Sequence, residues 1–234
     1  MQTFTFKSDN RLLETRGFAK IYHVCEDIGK KGIFDDFIKL REFSLKPGMG
    51  FLPQLHRSVD IITIPLKGII EQNNDLGNKI IAQNGEYCFL STGSGVMHYE
   101  FNKSYDENLH CLEIEIKRKA SEKNSPKNTI LKLEERSNTL LQINNRYATG
   151  LEQYSIYKGT SEKGKAFTHQ LQHYENTVIL YVIKGDLLIN ESTHLKSKDT
   201  FASRYTEALT ITCTKKSDFI LIELPLQNLQ QKTA

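Results

Sequence analysis

The chain has 234 residues, 38% of them hydrophobic and 25% charged, a globular composition with length enough for two small domains. Its 31 basic residues exceed its 28 acidic ones by too little for a protein that binds nucleic acid through phosphate neutralisation. No run approaches the ~18 consecutive apolar residues of a membrane span, and the N-terminus MQTFTFKSDNR lacks the apolar core of a signal peptide. Cys25, Cys88, Cys111 and Cys213 show no paired spacing, and Cys88 and Cys111 lie in apolar runs where a free thiol acts as a small hydrophobe. A reducing, cytoplasmic setting without direct nucleic-acid or membrane partners is the expectation.

In chain order, short runs rich in Ile, Val, Tyr, Phe and Thr alternate with Gly, Asn and Asp. Residues 61–66 and 68–71 read as strands, 73–78 (NNDLGN) as a turn, and 79–82 as the returning arm of a hairpin. A second turn at 84–86 leads into a strand at 87–90. Pro65 cannot donate to a ladder, so its strand should lie at an edge or carry a bulge. Leu112, Ile114 and Ile116 alternate with Glu113, Glu115 and Lys117, the pattern of a strand with one wet face. Residues 117–128 (KRKASEKNSPKN) are charged and have little to bury, which places a junction between domains 1–118 and 129–234. Strands follow at 177–183, 187–190, 209–213 and 219–224, and the tail 226–232 is the best helix candidate.

The two halves repeat. His56 stands twelve residues before Gly68, and His173 stands twelve before Gly185; the offset of 117 is half the chain. One all-β unit is therefore used twice. Only the first copy is followed, after the next hairpin, by His98 and Glu100. Residues two apart on a strand share a face, so His98 and Glu100 point the same way. A histidine beside a strand is usually a core or surface residue, and it is the placement of His56 before this pair that singles the trio out. Two imidazoles and a carboxylate inside a barrel are the ligand types of a facial-triad iron site, with positions left open for substrate and dioxygen. Gly93 and Gly95 allow the tight turn before it. In the second half Leu171 stands where the first has Gln54, and no His-x-Glu follows. His169, His173 and Glu175 read as structural, as do His23, His110 and His194.

Residues 50–78 (GFLPQLHRSVDIITIPLKGIIEQNNDLGN) and 84–100 (NGEYCFLSTGSGVMHYE) resemble the pirin family pattern GxHPHRGFETVTYVLEGxxxHxDSxGN followed by PGDVQWMxAGxGxxHSE. Leu109-His110-Cys111-Leu112-Glu113-Ile114 is similar to the family's LHxxQIWI strand. The resemblance implies an all-β fold of two cupin barrels in tandem (double-stranded β-helices, or jelly rolls), with metal in the N-terminal one alone. Carried over by position, the metal ligands fall on His56, His98 and Glu100, while Gln54 takes the place of the first histidine. An amide oxygen is a weaker donor than imidazole. Glu113 and Glu115 also depart from the family's Gln and Trp.

The resemblance implies a divalent metal, Fe(II) first among the candidates, and a flavonol-like small-molecule substrate of the kind taken by quercetin 2,3-dioxygenases. Glu100 would serve as catalytic base as well as ligand, and Arg57 is a candidate for orienting an anionic intermediate. Gln54 supports the alternative, a non-catalytic pirin-like module with a degenerate site and a protein partner.

Overall fold

The computed structural model describes residues 1–24, 37–118, 125–132, 136–143 and 154–225. Cys25, the tail 226–232 and residues 119–124 of the charged junction lie outside them. The regular structure described is strands and a single 3-10 turn, Ser8–Asn10, with no helix long and apolar enough to cross a membrane.

The chain divides into two compact units, Arg11–Glu134 and Met1–Asn10 together with Glu135–Ala234. Relative to the expected ranges 1–118 and 129–234, the units exchange their ends. The first strand, β1 (Gln2–Phe6), pairs within the C-terminal unit, and residues 127–132 add a strand to the N-terminal one.

The N-terminal unit comprises β2 (Leu12–Arg16), β3 (Ala19–His23), β4 (Phe37–Leu45), β5 (Gln54–His56), β6 (Val59–Lys67), β7 (Ile69–Asn74), β8 (Lys79–Gln83), β9 (Glu86–Ser91), β10 (Val96–Asn102), β11 (Leu109–Lys117) and β12 (Lys127–Lys132). They form a seven-stranded sheet, β12-β9-β6-β11-β4-β3-β2, and a four-stranded sheet, β5-β10-β7-β8. The C-terminal unit holds β13 (Thr139–Gln142), β14 (Ser155–Ser161), β15 (Ala166–Gln170), β16 (Thr177–Lys184), β17 (Asp186–Ile189), β18 (Thr193–Lys196), β19 (Thr200–Arg204), β20 (Ala208–Cys213) and β21 (Ser217–Leu224). Its sheets are β1-β19-β16-β21-β14-β13 and β15-β20-β17-β18. Each unit is thus a cupin barrel of two antiparallel sheets, and the chain is all-β.

The internal repeat is visible in the register. β6 lies between β9 and β11, and its pairing with β11 shifts where Pro65 and Lys67 face Cys111 and His110. Its pairing with β9 ends at Thr63, so Pro65 carries a bulge at a point where it owes the sheet no donor. β16 and β21 shift register at the equivalent place, between Val182 and Lys184. Both bulges lead into a left-handed glycine, Gly68 (φ 85°) and Gly185 (φ 94°). A Cβ on Gly185 would stand 2.3 Å from the Lys216 carbonyl oxygen, so no other residue fits that turn.

One expectation fails. Glu113 and Glu115 are buried at 1% and 5% exposure, so the polar face of β11 is not wet. That face looks into the barrel, and Lys39 and Arg41 on the neighbouring β4 supply its counter-charges. The alternation was read correctly as a strand but assigned to the wrong solvent.

The N-terminal strand is tied down by Asp199. Its carboxylate accepts the Ser8 backbone N–H at 2.8 Å, the Lys7 ammonium at 2.9 Å and the Lys196 backbone N–H at 3.0 Å. Burial pushes this carboxyl up, but the Lys196 amide, Lys7 and the Ser8 amide outweigh it and hold it below its ordinary value. A depressed carboxyl stabilises the fold above its unfolded value and loses that contribution as the pH falls through the native one. Asp199→Asn should therefore lower stability by about 1–3 kcal/mol at pH 7. Urea unfolding should show the difference shrinking toward zero in strong acid; a pH-independent difference would contradict this account.

Candidate metal centre

β10 (VMHYEFN) alternates between buried and outward side chains, and Val96, His98, Glu100 and Asn102 point inward. Antiparallel pairing with β5 sets His98 opposite Gln54 and Val96 opposite His56. Facing residues share a side of the sheet, so Gln54, His56 and His98 all turn toward the interior. The intervening pair, Leu55 and Met97, turns outward and is exposed. β5 is only three residues long, and the turn after it is pinned to the β9–β10 loop. Ser58, in the left-handed region at φ 53°, donates its N–H to the Gly93 carbonyl at 3.0 Å. The Thr92 hydroxyl donates to the Val59 carbonyl at 2.9 Å and accepts the Val59 N–H at 3.0 Å.

The result is an imidazole pair. The rings of His56 and His98 lie 4.7 Å apart, centre to centre. Burial, followed by the nearby Lys39 charge, lowers the His56 pKa; burial, followed by His56, lowers that of His98 to about 4. Both rings are therefore neutral at pH 7, the state in which imidazole binds a metal. His56 Nε2 and His98 Nδ1 are buried with no hydrogen-bond partner. Such orphaned atoms call for an explanation, and an unplaced ion is a standard one.

Glu100 is 2% exposed. Across from it on β7, Gln72 donates Nε2 to Glu100 Oε1 at 2.6 Å and to Thr63 Oγ1 at 2.9 Å. Thr63, reaching over from β6, donates its hydroxyl to the same Oε1 at 3.0 Å. Neither bond uses Oε2. Burial first, then the charge of Glu113, pushes the Glu100 carboxyl up to about 8, against the pull of Arg41, Gln72 and Thr63.

Behind this row stands a second set of charges. Arg41 faces Glu113 and Lys39 faces Glu115 directly across β4 and β11. Arg41 Nη2 donates to Glu113 Oε2 at 2.9 Å, and Arg41 Nε lies 2.9 Å from Oε1 as an ion-pair contact. Lys39 Nζ meets Glu113 Oε1 at 3.0 Å and also pairs with Glu115. Burial would raise Glu113, but Arg41 and Lys39 override it and hold its carboxyl well below the usual range. The Arg41 guanidinium lies 5.1 Å from the ring centre of Phe51.

These groups enclose a cavity of about 10 Å³, lined by Arg41, Phe51, Leu52, Gln54, His56, His98, Tyr99, Glu100, Glu113 and Glu115. All four residues expected from sequence as metal ligands thus line one cavity. Gln54 is exposed at its rim. Among the described residues, no three His, Cys, Asp or Glu side chains are gathered into a ready ion-binding group. The pre-assembled element is the imidazole pair, with Glu100 retained nearby by Gln72 and Thr63. This donor chemistry fits a divalent transition metal.

Arg57 is exposed, lies against the turn at Gly95 and does not line the cavity. Thr63, Gln72, Lys39 and Arg41 were not anticipated; only the alternation of Lys39 and Arg41 around Leu40 hinted at a polar inner face. In the C-terminal unit His169 bonds Glu223 at 2.9 Å, while the His173 side chain is 64% exposed, accepts the Glu175 N–H at 3.4 Å and lies 3.9 Å from the Glu175 carboxylate. That barrel's interior is filled by Val178, Leu180, Leu187, Leu209, Ile211, Phe219 and Leu221.

The fold and the site define a tandem cupin with a close pair of imidazoles in its first barrel and an apolar core cluster in its second. The chain belongs to the pirin family: residues 18–116 match the pirin family model, and residues 151–224 match that of the quercetinase C-terminal cupin domain. It is 27% identical over 187 residues to a quercetin 2,3-dioxygenase of Escherichia coli K12, covering 77% of this chain and 79% of that relative. Among solved structures, a bacterial pirin of Escherichia coli in complex with nickel(II), YhhW, superposes with a TM-score of 0.85 at 23% identity, covering 96% of this chain and 99% of the other. A quercetin 2,3-dioxygenase of Acinetobacter baumannii superposes with a TM-score of 0.78 at 16% identity, over 94% of this chain and 85% of that one.

Removing one member of the inner ion pairs strands its partner. Glu113→Ala should destabilise the protein by roughly 3–5 kcal/mol, whereas the double replacement Arg41→Met with Glu113→Leu should be near neutral. Denaturant titration of the two variants checks this, and equal losses would contradict it.

Proposed function

We propose that the N-terminal barrel is a metal-dependent oxygenase centre acting on a substrate that presents two adjacent oxygens, as a flavonol or another enediol does. What supports this is the juxtaposition of two neutral imidazoles, His98 buried and His56 half-buried, each with a buried unpartnered nitrogen, and the buried Glu100 carboxyl group in one cavity. His56 and His98 would hold the metal with Glu100 as the third donor and Gln54 as a weak fourth. Fe(II) leads the candidates, because imidazole–carboxylate sets with open positions are those of non-haem iron oxygenases. A bound divalent metal would lower the pKa of the substrate hydroxyl and bring the resulting anion together with dioxygen.

The chain's own residues do the rest. Gln72 and Thr63 orient Glu100 through one oxygen; this otherwise protonated group would be favoured in its ionised form beside a bound divalent cation, and in that form it could take up the hydroxyl proton. The buried Phe51 ring lines the same cavity and would limit water at the reacting oxygens. The names of the relatives agree with this reading, since several are called quercetin 2,3-dioxygenases or putative ones.

Gln54 favours a second reading, a regulatory or partner-binding pirin whose site no longer turns over. The two are separated by loading purified protein with Fe(II) and following dioxygen uptake with quercetin and with catechol. Uptake with either, abolished in His98→Ala, is expected; metal-loaded protein inert toward both would leave the second reading. Gln54→His should tighten metal binding roughly tenfold or more, about 1.4 kcal/mol. Calorimetric metal titration reads this directly, and an unchanged affinity would mean that residue 54 does not face the ion.

A further inference from the structure

The cavity has walls of two kinds. One carries the imidazole pair and Glu100; the other, formed by β4 and β11, carries Arg41, Glu113 and Glu115, with Lys39 closing the network. The metal-centre reading makes no use of this second wall.

Three features of that wall bear on what can enter. First, its side chains hold one another: directly opposed across the strands, Arg41 pairs with Glu113, and Lys39 bridges Glu113 to Glu115. Moving Glu113 aside would strip Arg41 of this ion pair, and moving Lys39 aside would strip Glu115 of its own. Secondly, the space between the walls is narrow and opens at a rim where Gln54 and Leu52 are exposed, so a ligand that reaches the imidazole pair must lie against this wall. A flat apolar ring pressed against the wall would remove water from charged groups without replacing its hydrogen bonds.

Thirdly, the fold does not require charge there. The register runs Arg41–Glu113–Thr63 across β4, β11 and β6. The matching row in the second barrel, across β14, β21 and β16, is Tyr157–Leu221–Leu180, and it packs as apolar core. In that row the first barrel has an ion pair where the same scaffold accepts hydrocarbon, whereas the neighbouring Lys39–Glu115–Ile61 row is matched by Ser155–Glu223–Val178, which keeps a buried carboxylate.

We propose that the Arg41–Glu113 and Lys39–Glu115 pairs set the substrate class: they admit a compact, hydrophilic molecule bearing two adjacent oxygens on a single ring or smaller frame, and they exclude a three-ring flavonol from the imidazole pair. This rests on the enediol-oxidation reading above and narrows it.

The test is calorimetric titration with catechol and with quercetin, under argon, of nickel-loaded and of metal-free protein. Catechol should bind at least tenfold tighter than quercetin. In the Arg41→Met, Glu113→Leu double variant the preference should shift toward quercetin by tenfold or more. Glu115→Gln, which keeps the shape of the wall while removing one charge, should shift it in the same direction. Quercetin binding as tightly as catechol to the natural protein would overturn the proposal. So would a preference unmoved in both variants once circular dichroism shows them folded, or catechol binding to neither form. Because the preference is also read without metal, failure to retain nickel counts against the metal-centre reading and leaves this test decisive.

Discussion

Antiparallel register between β5 and β10 is the constraint from which the chemistry of the first barrel follows. Setting His98 opposite Gln54 and Val96 opposite His56 turns both imidazoles inward and both outer neighbours, Leu55 and Met97, to solvent. A slip of β5 by one residue would turn Gln54 and His56 outward and leave His98, held by β7, without its partner ring. The short β5 strand cannot hold this register alone. It is held by the Ser58 to Gly93 bond and the Thr92–Val59 pair, which clamp the turn behind it. Gly50 contributes on the approach: its backbone bridges to Phe101, and a Cβ there would stand 2.4 Å from the Glu100 carbonyl oxygen. The chain can therefore lie close against β10 at the point where Glu100 turns inward.

The second barrel shows what the scaffold does without that arrangement. It keeps the bulge before its left-handed glycine and the same sheet orders, yet its interior is hydrocarbon. At the position that matches Glu115 it keeps a buried carboxylate. Glu223 accepts from Asn176 at 2.6 Å and from the Gln172 backbone N–H at 2.7 Å, and pairs with His169 at 2.9 Å. Those partners satisfy it completely, in contrast to the orphaned ring nitrogens of His56 and His98. A saturated cluster holds a loop in place; an unsaturated one is available to a ligand. That difference, more than the count of histidines, separates the two halves.

The strands, both hairpin turns and the repeat could be read from the sequence because each has a local cause: period-two burial, Asn-Gly turn chemistry and a proline that must sit at a bulge. His56, His98 and Glu100 could be read as well, from the internal repeat and the His-x-Glu alternation, whereas Gln54 entered only through the resemblance to the pirin pattern. Glu113 and Glu115 could not be placed. A carboxylate facing water and one facing a buried arginine look identical along a single strand, and the arginine lies more than seventy residues away. Gln72 and Thr63 escaped for the same reason, as their roles exist only through cross-strand and cross-barrel contacts. The N-terminal strand joining the second unit is equally non-local, since its partner β19 is nearly two hundred residues on.

The central claim is that His56 and His98 form the nucleus of a metal centre in the first barrel. Anomalous diffraction from crystals soaked in Fe(II) or nickel(II) tests it most directly. The account predicts one strong peak bonded to a ring nitrogen of each of these two histidines. A peak at some other group, or density joining the two rings with no ion between them, would contradict it.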